Sequence, residues 1–213
     1  MEISIERVVQ IVSDGVRLEG ILNIPDGATG IVLFVHGSGS GRFSPRNQYV
    51  AQVLRDGGIG TLLFDLLEEW ESEDRSKVFD IDLLTDRLLS ATDWIQSNPD
   101  TKDLAVGYFG ASTGAAAALQ ATAKQDSGIK AVVSRGGRPD LAMDYLPKVT
   151  APTLLIVGGE DRTVISLNQE SYNLLSGTKK MEIIPGATHL FEESGALEEV
   201  ARLAQEWFAG YLK

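Results

Sequence analysis

The chain contains no cysteine. Disulfides, thiolate metal sites and a cysteine nucleophile are therefore excluded. Histidine is almost as scarce, with His36 and His189 the two imidazoles in 213 residues. Basic residues are in deficit, 19 Lys and Arg against 30 Asp and Glu, for a formal net charge of -11. A phosphate-backbone ligand needs a basic surface to displace counterions, so no nucleic-acid partner is expected. A small anionic substrate is not excluded, because a few arginines in a cleft outweigh the global sign. No apolar run approaches the roughly 20 residues of a membrane helix, and no membrane partner is expected. The opening MEISIERVVQ has no basic region followed by an apolar core, so it does not read as a signal peptide. A cytoplasmic location is the expectation. Nothing calls for a cofactor or a metal, and oligomeric state is not readable.

What is present is ordinary for a globular protein: 43% apolar and 23% charged residues, in a length that fits one domain over 1–213. Alternating apolar residues over 3–12 and 16–24, broken by Ser13-Asp14-Gly15, predict an antiparallel hairpin. The run GIVLFV before His36 is continuously apolar, as a strand buried on both faces requires. A helix over 49–56 and a buried strand over 59–65 follow. The segment EEWESEDRSK, 68–77, is the most polar stretch and reads as a solvated loop. Leu84, Leu88, Ala91 and Ile95 share one face of a helix over 81–96, which Asn98-Pro99 ends. Three strand-then-helix units come next: 104–109 into 115–124, 153–157 into 164–175, and 180–184 into 197–211. Between the first two lie a strand over 129–133 and a short helical piece near 141–145. Alternating β and α elements after a hairpin predict a mostly parallel, eight-stranded, doubly wound sheet.

In such sheets active sites lie outside the carboxyl ends of the strands, so catalytic candidates should follow strands. Gly110-Ala111-Ser112-Thr113-Gly114 does, and it fits G-x-S-x-G, in which a sharp strand-to-helix turn exposes a serine hydroxyl. With 22 glycines in the chain the bare motif is weak evidence. A serine needs a base, and His189 follows the last strand in PGATHLFEE. The imidazole in turn needs a carboxylate to orient it. Asp161 in IVGGEDR is the preferred candidate, with Glu160 and Asp140 as alternatives. His36 opens HGSGSG and reads as a structural residue holding that loop. The loop's backbone amides suit an oxyanion hole, with Ser38 and Thr113 as the donors and Gly39 as the alternative to Ser38.

The stretches VHGSGSGRFSPRNQYVA, GYFGASTGAAAAL, SRGGRPDLA, LLIVGGEDRTV and PGATHLFEE together resemble the dienelactone hydrolase family of the α/β-hydrolase superfamily, over essentially the whole chain. Some small bacterial members of that family are fused to phosphoribosyltransferase domains. The resemblance implies an α/β-hydrolase fold and a triad of Ser112, Asp161 and His189. Members that cleave dienelactone use a cysteine nucleophile, and serine at position 112 points instead to a serine carboxylesterase. The roughly 20 residues between the strands at 129–133 and 153–157 leave no room for a lipase-like lid, so short or soluble esters are the expected substrates, with lactones a further candidate class. Arg42, Arg46 and Arg135 follow strands and are candidates to hold a substrate carboxylate. The alternatives are a thioesterase, acyltransferase or peptidase using the same triad, or a non-catalytic binding protein on the same scaffold.

Overall fold

Every residue of Gly30–Val35 (β3) is buried, and so is every residue of Gly60–Phe64 (β4) and Thr153–Gly158 (β7). Strands of this kind need cover on both faces, and the chain supplies helices to both. The computed structural model describes residues 3–124 and 128–213. Ile3–Ser13 (β1) and Val16–Pro25 (β2) form the antiparallel hairpin, and Ala105–Ala111 (β5), Ile129–Arg135 (β6) and Lys179–Ile184 (β8) complete the sheet. The eight strands lie in the order β1-β2-β4-β3-β5-β6-β7-β8. Pairing is antiparallel for β1 with β2 and for β2 with β4, and parallel from β4 to β8.

Alternation within the strands divides the core. Val32 and Phe34 point to the face covered by Pro45–Asp56 (α1) and Ala196–Tyr211 (α7), where Val50, Leu54, Val200 and Phe208 pack. Ile31, Leu33 and Val35 point to the other face, against Leu84 and Leu88 of Ile81–Ser97 (α4) and Ala117 and Ala118 of Thr113–Lys124 (α5). Between β6 and β7 the chain makes two 3-10 turns, Pro139–Ala142 and Leu146–Lys148, and no large lid. No helix among the described residues is long and apolar enough to cross a membrane.

The α1 helix begins at Pro45, four residues before the expected start, because the Ser44 side chain caps it and proline is tolerated at the first helical position. The polar segment 68–77 is solvent-exposed over most of its length, as expected, but it is not a loop. It forms two short helices, Glu69–Ser72 (α2) and Arg75–Val78 (α3). Glu68 and Glu71 form a reciprocal capping box at the start of α2. Glu71 is buried and paired with the buried Arg87 of α4 at 3.1 Å, and Arg87 also donates to the Ser13 carbonyl. Removing one partner of such a pair leaves an uncompensated charge, at a cost of roughly 3–5 kcal/mol, so this contact pins the segment to the body.

Candidate active site

Ser112 is the single residue between β5 and α5. Its φ is 51°, a left-handed conformation that a serine adopts only where the surroundings impose it. They do so here by close approach. A Cβ on Gly114 would lie 2.1 Å from the Val35 carbonyl oxygen, and one on Gly110 would lie 2.5 Å from Ala115 Cα. The two glycines of the motif are thus required by backbone packed on backbone. The Ser112 N–H donates to the Arg135 carbonyl at 3.2 Å, and its own carbonyl accepts from Ala115 and Arg138. These bonds hold the elbow against the end of β6.

Asp161 follows β7 and precedes Arg162–Leu174 (α6). It occupies the N-cap position, yet its side chain makes no capping bond and lies with Oδ2 2.6 Å from His189 Nδ1. Of the alternatives, Asp140 is taken by a two-pronged pair with Arg138, and Glu160 is exposed. The Asp161 carboxylate accepts from Nδ1–H, which leaves Nε2 as the basic nitrogen of the ring. The imidazole lies beside Gly136, where a Cβ would come within 3.5 Å of His189 Cε1. Gly136 shares its peptide with the Arg135 carbonyl that holds Ser112, so serine and imidazole meet on the same piece of backbone. The Oγ–Nε2 hydrogen bond is not formed in this structure; such bonds tighten when substrate arrives. Phe191, two residues on, is buried with φ of 56°, a second strained position in the histidine loop.

The HGSGSG loop runs directly against Ser112: a Cβ on Gly37 would sit 3.0 Å from Ser112 Cβ. Ser38 N–H donates to Thr113 Oγ1 at 3.1 Å, so one of the expected oxyanion donors is engaged by a hydroxyl in the free protein. Gly39, with φ of 68°, follows it in the turn. His36 is buried and spans two loops. Its Nε2 accepts the Leu66 N–H at 2.9 Å, so the proton is on Nδ1, which donates to the Gly37 carbonyl at 2.9 Å. Burial lowers the His36 pKa, against smaller opposing contributions from that carbonyl and the Asp65 charge. Because the folded value lies below the unfolded one, this histidine's contribution to stability is complete above about pH 6.5 and is lost as pH falls from there towards the depressed value. Urea titrations between about pH 7.5 and pH 5 should therefore show wild type losing stability faster than His36→Asn, and parallel losses would contradict this.

The three arginines differ. Arg42 is paired with Asp65 and with Glu19, and Arg46 lies 3.4 Å from Glu192. Arg135 is the last residue of β6 and not a loop residue. It is buried, its Nε has no partner among the described residues, and its guanidinium donates to the Asn47 side chain at 3.4 Å. Burial, with the neighbouring Arg46 charge, lowers its pKa to about 10. Sequence reasoning missed Asn168, whose buried amide holds the Gly137 carbonyl and so the loop beside the elbow. No local signal in α6 marks that residue.

A mostly parallel sheet with a serine elbow after β5 and an aspartate-bound histidine after β8 defines an α/β-hydrolase. The chain belongs to the dienelactone hydrolase family, whose model matches residues 69–210. It is 57% identical to a dienelactone hydrolase from Anabaena variabilis known from a crystal structure, with a TM-score of 0.95 over 98% of this chain and 99% of that one. Est1E from Butyrivibrio proteoclasticus shares the fold at TM-score 0.82 and 17% identity, over 95% of this chain and 98% of that one. A Mycobacterium tuberculosis protein provisionally named a phosphoribosyl transferase is 55% identical over 204 residues, which are 96% of this chain and 46% of that protein. The chain spans about half the length of the curated relatives it matches.

Proposed function

We propose that the protein is a serine esterase acting on short or soluble carboxylic esters. The observation that carries this reading is a strained, half-buried serine packed on the same backbone as an imidazole that Asp161 orients. Ser112 Oγ attacks the ester carbonyl while its proton passes to His189 Nε2. The oxyanion is received by the amides of Thr113 and Ser38, the latter exchanging the Thr113 hydroxyl for the substrate oxygen. Collapse breaks the ester C–O bond as His189 returns the proton to the departing alcohol. Water, activated by the same imidazole, then releases the acid and restores the serine.

Short substrates are favoured because nothing like a lipase lid stands between β6 and β7. An anionic group, where the substrate has one, has Arg135 as its candidate partner, the one of the three arginines without a carboxylate. The phosphoribosyl transferase name belongs to relatives about twice as long, and the cavity beside the elbow carries more carboxylates than cations, a poor setting for a sugar phosphate. The test is turnover across p-nitrophenyl esters of increasing acyl length. Acetate and butyrate should show a burst followed by steady hydrolysis, and emulsified long-chain esters should be at least tenfold slower. Absence of turnover with every short ester would end the proposal.

A further inference from the structure

A cavity of about 800 Å³ opens beside the HGSGSG loop, and all of its lining comes from residues between Arg17 and Leu84. Gly37 and Ser38 form its inner edge, next to the nucleophile and the oxyanion donor. The loops that carry Asp161 and His189 do not contribute to it. That asymmetry decides which half of an ester it receives. The departing alcohol must lie within reach of His189 to be protonated, so the acyl substituent points the other way, along the oxyanion loop.

The cavity's chemistry is distinctive. Leu67, Val78 and Leu84 supply apolar surface, and Phe43 and Trp70 stand at its walls, 63% and 58% exposed. Each ring already carries a cation: Arg42 lies 4.4 Å from the Phe43 centroid and Lys77 3.9 Å from that of Trp70. The charged lining is Glu19, Asp65, Glu68 and Glu69 against Arg17 and Arg42, with His36 held neutral by burial. Arg42 is consumed by Asp65 and Glu19, and the Arg17 guanidinium reaches Gln10. Glu68 accepts from the Arg17 backbone N–H and from the Trp70 indole, which fixes the ring at the cavity wall. The wall itself is anchored by the buried Glu71–Arg87 pair, so it is present before substrate arrives.

We infer that this cavity is the acyl site, and that it accepts aromatic acyl groups that are neutral or positively charged while disfavouring those that bear a carboxylate. The inference rests on the serine-esterase reading for which half of the ester it assigns. Exposed, pre-positioned aromatic rings suit a flat acyl group, and four lining carboxylates against two guanidiniums, with a chain charge of -11 behind them, disfavour an anion.

The experiment keeps p-nitrophenol as the alcohol and varies the acid: phenylacetic, 4-aminomethylphenylacetic, 4-carboxyphenylacetic and acetic. Expected kcat/KM is about tenfold higher for the first two than for the carboxylate. Trp70→Ala should lower the phenylacetate-to-acetate ratio by about fivefold, and Phe79→Ala, which lies outside the cavity, should leave that ratio in place. Glu69→Lys should narrow the gap between carboxylate and neutral substrates. A carboxylate substrate as good as the neutral one, or a ratio unmoved by Trp70→Ala, would overturn the inference while leaving the esterase reading intact. Failure of all four esters would instead overturn the esterase reading. Binding then decides the cavity's selectivity separately: in Ser112→Ala, the ethyl esters of the same acids should quench tryptophan fluorescence, with the carboxylate about tenfold weaker. Equal binding would contradict it.

Discussion

Ser112→Ala is expected to lower kcat/KM for a short ester by about a million-fold, to a residual rate set by the oxyanion donors and binding. The change removes Oγ and nothing else. The Cβ that packs against Gly37 remains, and so do the backbone bonds to Arg135, Ala115 and Arg138. Folding should therefore be preserved, and the loss should appear in kcat with little change in KM. Ser112→Gly extends the argument. A φ of 51° costs an L-residue roughly 1–2 kcal/mol that glycine does not incur, so this variant should be equally inactive. It should also match or exceed wild type in urea midpoint. Inactivity joined to retained or raised stability is the signature of strain kept for function. A wild-type rate in Ser112→Ala would remove the serine from the mechanism.

The second large effect belongs to Asp161→Asn, for which a fall of about 10⁴ in kcat is expected. The side chains are the same size, so the loss would not come from packing. An asparagine amide placed 2.6 Å from Nδ1 can donate there, which drives the ring proton to Nε2. An Nε2 that carries a proton has no lone pair for the serine hydroxyl. Glu160→Gln is the control, because that neighbouring carboxylate is exposed; its activity should stay within about twofold of wild type. Were Glu160→Gln the damaging change and Asp161→Asn the mild one, the assignment after β7 would be reversed.

The order of strands and the residues that follow them were legible because buried parallel strands announce themselves as unbroken apolar runs, and catalytic candidates stand where the runs stop. GIVLFV, AVGYFGA and TLLIVG are of that kind, and Ser112 and Asp161 follow the last two. What was not legible depended on partners distant in the chain. The segment EEWESEDRSK has no apolar period, and it becomes two helices because Glu71 finds Arg87 sixteen residues later and Arg87 finds the Ser13 carbonyl. Arg42 and Arg46 looked available because Glu19, Asp65 and Glu192 are brought to them only by the sheet. The early start of α1 is a different case, since Ser44-Pro45 is a local signal for a helix N-terminus that periodicity alone passes over. The acyl cavity was invisible for the same reason as the ion pairs: its walls are β2, the loops after β3 and β4 and the segment read as a loop, which only the fold brings together.

The most direct test of the central claim is covalent labelling of the native protein with a fluorophosphonate, followed by peptide mass mapping. One adduct is expected, on the peptide that contains Ser112, absent in Ser112→Ala and formed far more slowly in Asp161→Asn. An adduct on any other residue, or steady ester turnover by a protein whose Ser112 stays unlabelled, would contradict the account.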